Sequence, residues 1–358
     1  MQASLRKLGN GSLSTAIAIV AALAFQQLGM PLPWMLGPLF LFAGLSFFRT
    51  APFGLELGFP AKVRLYSVPV VGVMIGARVT PGFAEEVARW WPSLLLVLPY
   101  MLAAQLINAA ILRRVGGYDS ATAFFAASPG GMVEAVLIGE ANGGNGPLMA
   151  IQHFARVTLA VSIIPLLLSF ELGIPVGSAA GVVTSASFQV PNLYDIILLL
   201  LAGTAGAIIA RRLHVPAGIM VGPLVLSAVF HASGMTNAQI PGLLLQAAQL
   251  VIGVTLGSRF AGPSKSDLLR GLGLSVLTLS CTLLLAFGVA LLVSAMGLAD
   301  TTVSFIAFAP GGLVEMGLIA ISLDADPIFV ATHHVMRIGL AVMIAPWVFR
   351  MISRPPSK

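Results

Sequence analysis

The chain has 358 residues, 58% of them hydrophobic and only 9% charged, against roughly 25% charged in a soluble domain. That much apolar surface excludes a soluble globular protein, whereas a bilayer accepts it. The formal net charge of +6 fits Lys and Arg gathered on the cytoplasmic loops of a membrane protein better than a nucleic-acid surface.

The N-terminal stretch "MQASLRKLGNGSLSTAIAIVAALAF" has the basic start and apolar run of a signal peptide, but no convincing small-residue cleavage site follows and many more spans do, so it is expected to be the first membrane helix. "SLLLVLPYMLAAQLINAAIL" follows as a span. Next come "SPGGMVEA" at 128 to 135 and the span "LMAIQHFARVTLAVSIIPLLL". A small, polar stretch, "VGSAAGVVTSASFQVPN", separates these from "IILLLLAGTAGAIIA" and "LGLSVLTLSCTLLLAFGVALLVSAMG". "APGGLVEM" at 309 to 316 and "IFVATHHVMRIGLAVMIAPW" close the chain. Unbroken apolar runs of this length argue for helices rather than the short alternating segments of a β-barrel. The single Cys281 leaves no disulfide framework and no thiol-based metal site.

Slid along itself by about half its length, the chain matches itself in order. Asp119 falls on Asp300, Pro129-Gly130-Gly131 on Pro310-Gly311-Gly312, Glu134 on Glu315, His153 on His334 and Arg156 on Arg337. "GVMIGARV" matches "GVTLGSRF", and "LGMPLPWMLGPL" matches "LHVPAGIMVGPL" with a small indel. The expected fold is an all-α polytopic membrane protein built from two inverted repeats. Each repeat has about five crossings plus a broken or re-entrant Pro-Gly-Gly segment. The repeats occupy residues 10–171 and 193–350, a periplasmic linker 172–192 and a cytoplasmic tail 351–358. Charge supports this arrangement: with re-entrant segments 15 of the 19 Lys and Arg are cytoplasmic and 2 lie outside, whereas crossing segments give 10 against 7.

Proline lacks an amide donor and glycine tolerates unusual backbone angles, so the motif breaks its helix. In hydrocarbon such a break survives only inside protein or along a wet cavity. It also opens a new helix N-terminus near Met132, where Glu134 sits in the first turn, as Glu315 does in the second copy. Two such breaks point to a transporter site built from Ser128, Pro129, Gly130, Gly131, Glu134, His153 and Arg156 with Pro310, Gly311, Gly312, Glu315, His334 and Arg337. The alternative for each glutamate is a plain helix cap. The alternative for the arginines is a structural ion pair, Arg156 with Glu134 and Arg337 with Glu315. His214, His231 and His333 lack repeat partners and are expected to be packing or interfacial residues; Asp119 and Asp300 are expected helix caps, and Gln26, Gln105 and Asn108 interhelical donors. The sequence carries no phosphate-binding loop, metal-ligand cluster or hydrolase motif, so no catalytic residue, metal or cofactor is expected.

The duplicated "SPGGMVEA" and "APGGLVEM", followed by "HFARV" and "HHVMR", resemble the bacterial AbrB membrane family over nearly the whole chain. Members carry labels as regulators of gene expression and as ammonia monooxygenases; the family shares its name with an unrelated soluble DNA-binding regulator. We expect an inner-membrane, multi-pass secondary transporter of a small organic anion, coupled to protons or sodium. Its partners are the bilayer, the substrate and the coupling ion, without direct nucleic-acid binding; a homodimer is left open. The competing readings are a membrane regulator without transport activity and a membrane enzyme.

Overall fold

The computed structural model describes residues 2–48, 58–79, 83–173, 192–215, 217–261 and 264–353. Most of the expected linker, 174–191, and residues 354–358 of the tail lie outside these. The first half forms α1 (Gln2–Gln27), α2 (Pro33–Phe48), α3 (Ala61–Gly76), α4 (Phe83–Arg89), α5 (Trp91–Arg114), α6 (Ser120–Ala126), α7 (Met132–Ala141) and α8 (Gly146–Leu172). The second forms α9 (Leu193–Arg212), α10 (Gly218–Ala232), α11 (Gly242–Gly257), α12 (Lys265–Ala295), α13 (Thr301–Phe308), α14 (Leu313–Ser322) and α15 (Pro327–Ser353). No strand occurs among the described residues. Six helices there are long and apolar enough to cross a membrane: α5, α8, α9, α11 with the tight turn that extends it to Ala261, α12 and α15. The protein is therefore a helical membrane protein.

Helix bounds recur with the spacing of the motifs. α3 and α11, α7 and α14, and α8 and α15 each begin and end at the separation that relates Asp119 to Asp300. α2 and α10, starting at Pro33 and Gly218, are slightly further apart, so the small indel falls between the second and third helices of one half.

Contacts divide the described chain into two compact units that cut across this repeat. One comprises α1 to α3, α9 to α11 and the later parts of α8 and α14. Its packing is reciprocal. Gly72 and Gly76 of α3 lie so close to α10 that a Cβ on either would strike the carbonyls of Met220 and Leu224, respectively. Gly253 and Gly257 of α11 meet the carbonyls of Met35 and Leu39 of α2 in the same way. Each half thus clasps the other half's proline-containing helix through glycines that let two backbones touch, the usual means of packing membrane helices.

The other unit comprises α4 to α7, the first part of α8, α12, α13, the start of α14, and α15. Here the first broken segment doubles back. The Asn145 amide, just past α7, donates to Thr122 Oγ1 at the start of α6 over 2.7 Å. Thr122 Oγ1 donates in turn to Asp119, whose carboxylate also caps the α6 amide of Thr122 at 2.9 Å. Partial burial pushes the Asp119 carboxyl up, but the Thr122 hydroxyl and amide outweigh this and hold it below its ordinary value. Residues 120–145 therefore form a helical hairpin whose two ends meet. Asp300 occupies the equivalent cap position of α13 without a side-chain bond to the helix. α5 and α12 run antiparallel, since Arg270 near the start of α12 donates to the Gly116 carbonyl just past α5 at 2.5 Å.

The glycine clasp is testable. Gly257→Ala forces a methyl into the Leu39 carbonyl, an overpacking that costs about 1–3 kcal/mol. It is expected to lower the melting temperature in detergent by several degrees. Gly288→Ala, on an open face of α12, is expected to leave it unchanged or slightly raised; equal melting of the two variants would contradict the clasp.

Candidate functional site

The first hairpin breaks between Ala126, the last residue of α6, and Met132, the first of α7. Gly131 caps α7 with φ of 63°, a left-handed angle that glycine adopts without strain. Ending α6 orphans its last carbonyls, each of which needs a donor where water is scarce. Arg156 supplies them. Ten residues into α8, or about 15 Å along it, its guanidinium reaches back to the break. Nη1 donates to the carbonyls of Ala126 and Ala127 at 3.5 and 3.3 Å, and Nη2 to Ser128 O at 2.6 Å and His153 Nδ1 at 3.0 Å.

The second break repeats the scheme. Arg337, ten residues into α15, donates through Nη1 to Phe308 O and Ala309 O at 3.4 and 2.7 Å. Its Nη2 donates to Gly311 O at 2.9 Å and His334 Nδ1 at 2.8 Å. Arg156 and Arg337 are 8% and 2% exposed. Both guanidinium planes are spent mainly on backbone, a use that suits their fixed fork of donors.

The histidines are second partners of the same breaks. His153 Nε2 faces Phe125 O and His334 Nε2 faces Ile306 O, each at 3.1 Å. A carbonyl only accepts and an arginine only donates, so these contacts assign the proton to Nε2 and the lone pair to Nδ1. Each imidazole relays between arginine and helix, and a second ring proton would face the guanidinium. This bonding argues against the two duplicated histidines as proton carriers.

The glutamates differ between copies. Glu134 is exposed, whereas Glu315 is 1% exposed. In both, the carboxylate turns back toward the glycine that precedes its helix: a Cβ on Gly131 would lie 3.3 Å from Glu134 Oε2, and one on Gly312 would collide with Glu315 Oε2. A negative charge at the third helical position favours the positive end of the helix dipole. Each break thus has an arginine at the end of the helix before it and a glutamate at the start of the helix after it.

The remaining motif residues shape the breaks. Ser128 Oγ donates to Gly130 O at 3.1 Å, while Pro129 and Pro310 withhold an amide donor. α15 brings the two breaks together, because it carries Arg337 and also receives the first tip. A Cβ on Gly130 would come 3.1 Å from Ile338 Cα, and one on Gly131 2.9 Å from Val342 Cγ2. Residues without duplicates also reach this region. Tyr100 of α5 donates to Phe308 O at 2.6 Å, and Gln105 to Phe124 O at 3.4 Å. Asn108 donates to Thr282 at 2.8 Å. Of the unpaired histidines, His231 and His333 are buried and bonded to carbonyls, and His214 is exposed. Among the described residues, Arg337 Nε and Ser304 Oγ are buried without a hydrogen-bond partner, and no His, Cys, Asp and Glu side chains gather into a metal-holding group.

Apolar helices and two arginine-pinned helix breaks define a helical membrane protein with a paired polar centre. The chain belongs to the AbrB family, whose pattern, described as "Transition state regulatory protein AbrB", matches residues 46–353. It is 25% identical over 338 residues to "Putative regulator AbrB" of Escherichia coli strain K12, covering 94% of both chains. It is also 24% identical over 352 residues to "Uncharacterized protein YhjN" of Bacillus subtilis strain 168, covering 94% of this chain and 92% of that one.

Pinning of the break by arginine carries a stability prediction. Arg337→Met removes a donor from three carbonyls; Phe308 O keeps the Tyr100 hydroxyl, whereas Ala309 O and Gly311 O lose their arginine donor, and each buried unsatisfied acceptor costs about 1–3 kcal/mol. A marked fall of the unfolding midpoint in detergent is expected, partly restored by lysine, which keeps the charge but cannot span three oxygens. Arg78→Met, which removes an exposed ion pair to Asp324, is expected to shift the midpoint little. Equal shifts would contradict the assignment.

Proposed function

We propose that the protein is a multi-pass inner-membrane secondary transporter for a small organic anion, coupled to protons or sodium, and not an enzyme. The observation that carries this reading is the pair of helix breaks, each with a buried arginine on one side and a glutamate on the other, meeting along α15. Broken helices that meet inside the bilayer offer polar groups to a solute where intact helices offer none.

The architecture we propose is two inverted repeats of about five crossings, each with one re-entrant hairpin. Several observations support it. The ends of the first hairpin meet at Thr122 and Asn145, which favours an odd number of crossings in the first half. Arg270 and Gly116 meet as well, as they must if both are cytoplasmic; crossing segments would place them on opposite faces. The reciprocal glycine contacts have the form of a two-fold relation, in which residue i meets j′ and i′ meets j. The arms of 7 and 10 residues are about 10 and 15 Å long, so the tip reaches about half-way through a core of about 30 Å. The linker 172–192 then lies in the periplasm.

With both glutamates ionised, the charges of Glu134, Glu315, Arg156 and Arg337 cancel. Protonating one glutamate, or binding sodium beside it, leaves the centre positive and ready for an anion. The unpartnered Arg337 Nε and the two helix N-termini are donors an anion can use, so the arginines serve as positioning groups first and ligand groups second. One relative is named a regulator, which favours a second reading, a membrane regulator without transport activity.

Uptake of labelled carboxylates and amino acids into proteoliposomes, with an imposed acidic exterior or a sodium gradient, tests the proposal. We expect gradient-driven uptake of an anion, strongly reduced in Glu134→Gln, Glu315→Gln and Arg337→Gln. No uptake above empty vesicles across the panel, a cationic substrate, or unchanged uptake in both glutamate variants would overturn it.

A further inference from the structure

The two hairpins share one motif, yet they are not held equally. The Tyr100 hydroxyl is 2.6 Å from Phe308 O, an oxygen that also accepts from Arg337 at 3.4 Å. The tyrosine is 5% exposed, and its ring meets that of Phe308 edge-on, with centroids 5.3 Å apart. A phenol and a guanidinium therefore converge on the last carbonyl of α13, one from α5 and one from α15.

Among the described residues, the first hairpin has no counterpart to this clamp. The repeat equivalent of Tyr100 is Cys281, whose thiol is a weak donor. The first break instead receives Gln105, whose bond to Phe124 O is 3.4 Å long. Burial follows the same division. Leu313 to Ile321, the return arm of the second hairpin, is buried throughout, whereas Glu134, Leu137, Glu140 and Ala141 on the return arm of the first are exposed. Exposed Glu134, Leu137 and Ala141 recur at helical spacing, so they form one stripe from the tip to the mouth of the hairpin.

We infer that Tyr100 is a positioning residue that locks the second break, making the second hairpin the fixed wall of the site and the first hairpin, along its Glu134 stripe, the arm that yields to admit the solute. The inference rests on the reading of the two breaks as one transport site. It adds that the halves of the site, alike in sequence, divide the work between them.

Hydrogen–deuterium exchange of the full chain in lipid nanodiscs tests this without any knowledge of the substrate. In the native chain, amides of 311–316 are expected to exchange more slowly than those of 130–135. Tyr100→Phe keeps the ring contact and removes only the hydroxyl. It is expected to speed exchange at 311–316 by about three- to tenfold, the size of one lost hydrogen bond, and to leave 130–135 within twofold. General destabilisation would raise both segments together. Equal exchange of the two segments in the native chain, or no selective effect of Tyr100→Phe, overturns the inference. Selective exchange without any solute uptake would keep the locking role of Tyr100 and remove only the transport reading. The native comparison stands even if the variant folds poorly.

Discussion

A carbonyl that loses its helical partner inside hydrocarbon has no water to turn to, and the rest of this protein is arranged around that constraint. Each Pro-Gly-Gly break leaves such oxygens at the end of α6 and of α13. A lysine would satisfy them singly, as a point charge on a flexible stem. An arginine with its plane fixed by a histidine one turn earlier satisfies three together, and its charge suits the negative end of the helix it terminates. On the far side of the break the sign reverses, and a glutamate lies over the positive end of the next helix. Arginine and glutamate at a break are thus two answers to one cut in a helix. The charges at each break are thus ones that the backbone geometry itself calls for.

The constraint also explains the doubled-back chain. Arg156 and Arg337 can reach the breaks only if the next helix starts beside the mouth of the hairpin and runs parallel to its inbound arm. The Asn145 to Thr122 contact fixes that start for α8, and ten residues of helix then raise the guanidinium to the tip. The reciprocal glycine contacts of α3 with α10 and α11 with α2 belong to the other unit and concern backbone contact alone. The buried arginines of the breaks lie in one unit, and the paired glycine contacts with α2 and α10 lie in the other.

Much of this was visible in the amino-acid sequence because duplication marks what composition hides. Pro129, Glu134, His153 and Arg156 stand out only beside Pro310, Glu315, His334 and Arg337. The helix starts at Met132 and Leu313 followed from the residues that break the helix before them. The partners of the arginines were less visible, because side-chain chemistry suggests glutamate for arginine while the orphaned carbonyls carry no letter of their own. Hairpin or crossing could be argued only from loop charge, since a segment from Ser120 to Ala141 is long enough for either, and the Thr122 clasp that favours the hairpin has no motif. Tyr100 escaped because it has no duplicate. The unequal exposure of Glu134 and Glu315 could not be read from two copies of one motif, as it depends on neighbours that differ.

Side-specific labelling of Asn142→Cys and Leu323→Cys, each in a Cys281→Ala background, tests the central claim most directly. These positions are repeat equivalents, each just past the return arm of its hairpin. Two inverted, re-entrant hairpins predict that a membrane-impermeant maleimide reaches Leu323→Cys from the periplasm and Asn142→Cys only after the cytoplasmic face is opened. Labelling of both from the same side would contradict the account.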